Sequence, residues 1–111
     1  MNRIAISNAA SALLRALTAR SKAPRDRILL TDVQSVDWQS LTFTGERHLI
    51  ALRVTGRDSV SAVARMCDGL ADAEFSIPGL IVADIAVLEE PRRTLDGSTS
   101  VTIEALTVSE D

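Results

Sequence analysis

Catalysis or metal binding in this chain would have to draw on one histidine, His48, one cysteine, Cys67, and the carboxylates. His48 stands between Arg47 and Leu49 at the opening of an aliphatic stretch. No Gly-x-Ser-x-Gly elbow and no helix-borne histidine pair accompanies it, so it reads as an edge or surface histidine. Cys67 has no second cysteine for a disulfide, and with His48 it falls short of the three or four ligands of a zinc site. No metal and no cofactor is therefore expected. Cys67 itself falls on an apolar stripe and reads as a small core hydrophobe.

The carboxylates and glycines are equally unpromising as a reaction centre. Glu89-Glu90 and Glu110-Asp111 lie in a charged connection and at a terminus, where water keeps them ordinarily ionised. Gly45, Gly56, Gly69, Gly79 and Gly97 are scattered rather than grouped before a helix, so no phosphate cradle forms. Arg20, Lys22, Arg25 and Arg27 make the densest basic cluster. They lack aromatic partners for stacking bases, and the segment reads as a solvated or protein-contact loop.

The elements that must position these groups follow from periodicity. Ile6, Ala9, Ala10, Leu13, Leu14 and Leu17 take the spacing of one helical face, which predicts a first helix over 5–20 with a basic loop to 27. Pro24 ends that pattern. Ile28 to Val36 and Arg47 to Thr55 read as strands of a first hairpin over 28–55, joined by a long connection, 37–46, that holds Trp38 and Phe43. Asp58 or Ser59 is expected to cap a second helix over 58–76, with Val60, Val63, Ala64, Cys67, Leu70 and Ala71 as its apolar stripe. A second hairpin over 80–109 pairs Leu80 to Leu88 with Ser100 to Val108, across a long charged connection that turns at Asp96-Gly97. The expected fold is a single α+β domain over 1–111, in the order helix, two strands, helix, two strands.

Composition agrees with one soluble domain, since 46% hydrophobic and 24% charged residues are ordinary globular values. The longest apolar runs, Gly79 to Ala83 and Ile85 to Leu88, are strand-sized, and the N-terminus has no long apolar signal core; no membrane span and a cytosolic protein are expected. A net charge of −3 and three aromatic residues argue against specific nucleic-acid binding. The charge is unevenly divided. Residues 1–57 hold nine basic and four acidic side chains, whereas 58–111 hold three basic and eleven acidic. Faces of opposite sign would favour head-to-tail association of identical subunits.

Several segments together resemble the tail terminator (tail-completion or minor tail) proteins of long-tailed phages, prophages and the gene transfer agents of alphaproteobacteria. They are Ala10 to Leu17 of the first helix, the Gly45-Glu46-Arg47-His48 opening of a strand, the Ser59 to Ala73 helix, and Arg92 to Thr99 running into the last strand. The resemblance implies a non-enzymatic structural protein of virion assembly. Such a protein forms a hexameric ring on the tail tube, stops tube polymerisation and meets the head-side connector. Its partners would be itself, the tube protein and the connector, and its location the bacterial cytoplasm during assembly and then the tail or neck of a particle. On that reading Trp38 and Phe43 are contact anchors or pack back onto their own core, and Arg25 and Arg27 form a protein-contact loop. Arg92 and Arg93 sit at a hairpin tip to meet acidic neighbours. The competing expectations are a small ligand-binding or enzymatic domain with an intersubunit site containing His48 or a buried Asp84, and a dimeric cytosolic adaptor.

Overall fold

The computed structural model describes residues 6–109; the Glu110-Asp111 pair lies outside them, as does residue 5, and the first helix begins later than the expected 5, because Ser7 is extended and Ile6 before it is exposed. The first helix, α1, spans Asn8–Ser21. Ser7 caps it, its hydroxyl accepting the Ala10 amide at 3.1 Å, and Ala10, Leu13 and Leu17 form the buried stripe. Four antiparallel strands follow, β1 (Ile28–Gln39), β2 (Thr44–Val54), β3 (Leu80–Arg93) and β4 (Thr99–Ser109), with the second helix, α2 (Ser59–Cys67), between the hairpins. The element order matches the sequence reading. Spatially the strands run β1-β2-β4-β3, so the last strand of each hairpin lies inside and the first strand forms an edge.

Alternation along the inner strands sends Ile50, Leu52, Val54, Val101, Ile103 and Ala105 to one face. There they join Leu13 and Leu17 of α1 and Val63 and Met66 of α2 in a single core. Both helices cover that face. The helix ends also interlock: Arg20 of α1 donates to the Met66 and Asp68 carbonyls, and Arg65 of α2 donates to the Ser21 carbonyl at 2.8 Å. Each guanidinium satisfies carbonyls that the other helix leaves unpaired.

Three expectations are corrected. The connections are short: Trp38 pairs with Gly45 inside the ladder, leaving only residues 40–43 as the first turn, and β3 continues through Arg93 to a turn at 94–98. Polar residues in these stretches do not end the strands, because an edge strand with one solvated face accommodates them. The second helix stops at Cys67 rather than 76. Asp68 turns extended, Gly69 is left-handed (φ 62°), and Leu70–Asp72 makes a separate 3₁₀ turn. Its buried stripe is Ser59, Ala62, Val63 and Met66; Val60 and Ala64 are exposed and Cys67 is half-buried.

Nor does either expected N-cap act through its side chain. Asp58 makes no capping bond, its carboxylate being held by Arg27. Ser59 is the first helical residue, and its buried hydroxyl ties α2 to the second hairpin through the Gly97 carbonyl (2.9 Å) and Thr99 Oγ1 (2.8 Å).

Candidate functional site

The groups that could perform chemistry are either sealed or scattered. His48 is buried, 1% exposed, rather than an edge histidine. Its register opposite Ser35 and Ala105 directs it to the core face, where Ser35 Oγ lies 2.8 Å from Nδ1 and Thr107 Oγ1 lies 2.8 Å from Nε2. Both nitrogens are thus occupied. Burial lowers the His48 pKa, opposed in part by the Glu46 charge, and the ring is neutral at pH 7. The ring clips β1, β2 and β4 together and presents no free nitrogen to a substrate.

Asp84 is exposed, and its pairing with Leu106 sets it on the opposite face of the sheet from His48. The two residues that an intersubunit reaction site was expected to use are therefore not brought together. Burial pushes the Cys67 thiol pKa up, against the pull of Arg20, which makes it a poor nucleophile. Among the described residues, no group of three or more His, Cys, Asp or Glu side chains could hold a metal, and no helix is long and apolar enough to cross a membrane.

The surface is more informative. On the sheet face turned away from the helices, one register row runs Trp38, Gly45, Val108, Ile81 across all four strands. Gly45 leaves no side chain between Trp38 and Val108, and the β4 backbone passes so close that a β-carbon there would lie 1.9 Å from the Thr107 carbonyl oxygen. Trp38 is half-buried within this row. Phe43, 51% exposed, occupies the adjoining 40–43 turn beside the fully exposed Leu41. The opposite end of the sheet ends in the 94–98 turn, where Leu95 is likewise fully exposed. That turn is pinned by Asp96: the Ser98 hydroxyl (2.6 Å), the Thr94 hydroxyl and the Ser98 amide (3.0 Å) all donate to its carboxylate and hold its pKa far below the usual range. Leu41 and Leu95 escaped the sequence reading, although a leucine within a polar turn is a legible signal of an outward-facing contact.

The four candidate arginines separate. Arg92 and Arg93 are exposed but lie in β3, paired with Ser100 and Thr99, and not at a hairpin tip. Arg27 works within the chain. Its guanidinium donates to the Thr55 carbonyl through Nε (3.0 Å) and Nη2 (2.9 Å), pairs with Asp58, and lies where a Gly56 β-carbon would be, which requires the glycine there at φ 101°. Arg25 is free of such bonds and lines a groove of about 610 Å³ between α1 and β1. Leu14, Ile28 and Leu30 supply apolar walls, Arg15 and Lys22 join Arg25 as cations, and among the described residues no acidic side chain lines it.

Comparison with known proteins finds a similar fold in a chain of a solved structure described as the virion of a native gene transfer agent particle. The TM-score is 0.50 at 18% sequence identity, over 92% of this chain and 89% of that one. No protein-family model matches the sequence, and no curated protein matches it.

Proposed function

We propose that this chain is a structural component of a phage-like particle, acting as a tail terminator. On this reading it closes into a hexameric ring on the end of the tail tube, stops tube polymerisation and presents the joining surface to the head-side connector, without catalysing a reaction. The observation that carries the proposal is the likeness in fold, over 92% of the chain, to a chain of a gene transfer agent virion. Two features of the surface support it. Phe43 and Leu41 at one end of the sheet and Leu95 at the other are exposed apolar anchors of the kind that contacts between stacked rings use. Trp38, beside the first turn, extends that anchor onto the bare sheet face. Arg92 and Arg93 supply exposed cations for acidic neighbours. The acidic balance of the chain suits a ring through which DNA passes without being gripped.

The test is deletion of the gene from a particle-producing strain, followed by electron microscopy of the particles. Overlong tails unattached to capsids are expected, restored to normal by the wild-type gene in trans. Normal tail lengths and normal joining in the deletion strain overturn the proposal.

A further inference from the structure

The basic groove between α1 and β1 has a counterpart on the far side of the molecule. β3 forms the other edge of the sheet, and its register slips between Val87 and Glu89 and again between Glu89 and Arg92. Leu88 is the extra residue of the first bulge and is 48% exposed, followed by the exposed Glu89 and Glu90. The edge therefore displays one apolar knob beside two carboxylates. The groove offers apolar walls, Leu14, Ile28 and Leu30, rimmed by Arg15, Lys22 and Arg25. We infer that the occupant of this groove is a second copy of the chain, which inserts Leu88 between the apolar walls and sets Glu89 and Glu90 against the three cations.

Two aspects of the topology favour a copy over an unrelated acidic partner. A head-to-tail contact needs two different patches facing apart, so that each subunit engages two neighbours at once, and β1 and β3 are opposite edges of one sheet. The patches also sit at one level. Leu30 of the groove pairs with Leu52 and Leu52 with Val101, which lies on β4 between Thr102 and Ser100, the partners of Glu89 and Arg92. A contact between patches at the same height along the strands carries little rise per subunit, which is the condition for a closed ring rather than a helical filament. Pro91 and the bulges meanwhile spoil this stretch of β3 for continuous strand addition, leaving recognition to side chains.

The inference deepens the ring proposal and rests on it for its biological setting, but its test is independent. In a full-length Cys67→Ala background, Ala19→Cys in the groove and Arg92→Cys on β3, which leaves Leu88, Glu89 and Glu90 in place, are joined by a short bis-maleimide linker at high protein concentration. A ladder of covalent oligomers that requires both cysteines and ends in a closed species is expected. Reversing the rim with Arg15→Glu and Arg25→Glu is expected to reduce the ladder at least about tenfold, and adding Glu89→Arg and Glu90→Arg to the same chain to restore it. All substituted positions other than Cys67 are exposed charges or an exposed alanine, and unchanged circular dichroism and Tm verify folding. A double-cysteine protein that crosslinks no better than either single variant, or a ladder indifferent to charge reversal, overturns the inference. Should the ladder fail while gene deletion still deregulates tails, the ring proposal stands with another interface. Should the ladder form while deletion leaves tails normal, the interface stands and the tail-terminator proposal falls.

Discussion

The inner and outer strands of this sheet do different work. β2 buries His48, Ile50, Leu52 and Val54, and β4 buries Thr99, Val101, Ile103, Ala105, Thr107 and Val108; β1 buries no side chain fully and β3 only Ile85. The inner pair holds the core together. The edges instead carry the exposed features: the groove beside β1, the Leu88 knob on β3, and bulges in both. Edge strands that contribute little to the core can present charge and apolar knobs at small cost in stability, which is how one small domain combines a fixed fold with exposed charged and apolar side chains along its perimeter.

The largest test of that division is a pair of truncations. Ile103→Ala, at a fully buried inner position, is expected to lower unfolding free energy by about 2–5 kcal/mol, whereas Val33→Ala, half-buried on β1, costs less than about 1.5 kcal/mol. Denaturant melts of the two variants measure the difference, and equal losses would erase the distinction between inner and outer strands. Next comes Gly45→Ala. The β4 backbone occupies the space that its methyl needs, so a loss of about 1–3 kcal/mol is expected at the seam between the inner strands.

The buried histidine supplies a pH-dependent test. Its folded pKa is lowered below the ordinary 6.5, so at high pH both folded and unfolded forms are neutral and the ring brings no pH dependence. As pH falls below 6.5 the unfolded chain takes up a proton that the folded one resists, and stability declines until the folded pKa is passed. Urea melts between pH 8 and 5 should show that decline, and His48→Gln, which keeps hydrogen-bonding groups for Ser35 and Thr107, should remove its histidine component.

The smallest effect is expected at the groove. Lys22 caps α1 in the left-handed region at φ 59°, an unfavourable conformation for a side chain. Lys22→Gly is expected to raise stability by up to about 1 kcal/mol in thermal melts while weakening the crosslinked ladder. A gain in stability with loss of association would sharpen the separation of core from perimeter; a loss of both would blur it.

Much of this architecture is legible in the residues themselves. The aliphatic runs of 28–36, 47–55, 80–88 and 100–108 mark all four strands, because aliphatic and β-branched content, joined by alternation in 47–55 and 100–108, needs no knowledge of neighbours. Their ends are not legible: Asp37, Gln39 and Glu89 to Arg93 look like loop, yet extend edge strands whose outer faces meet water. In α2 two apolar stripes overlap. Val60, Val63, Ala64 and Cys67 fit helical spacing as well as Ser59, Ala62, Val63 and Met66, and the choice between them depends on Ser59 finding Thr99 in the second hairpin. Of the candidate contact residues, Phe43, Arg25, Arg92 and Arg93 are exposed and Trp38 is half-buried, a choice the sequence left open for the two aromatics. Arg27 is drawn inward by Thr55 and Asp58, partners 28 and 31 residues away.

Local residue order by itself determined which helices and strands exist and their succession, since periodicity acts over a few positions. It also determined the opposed charge of the two halves. Only the tertiary structure decided that the hairpins join through β2 and β4, because strand order depends on pairing between residues 45 to 63 positions apart. That single choice buries His48 between two hydroxyls and places the basic groove and the acidic bulge on opposite edges at one level.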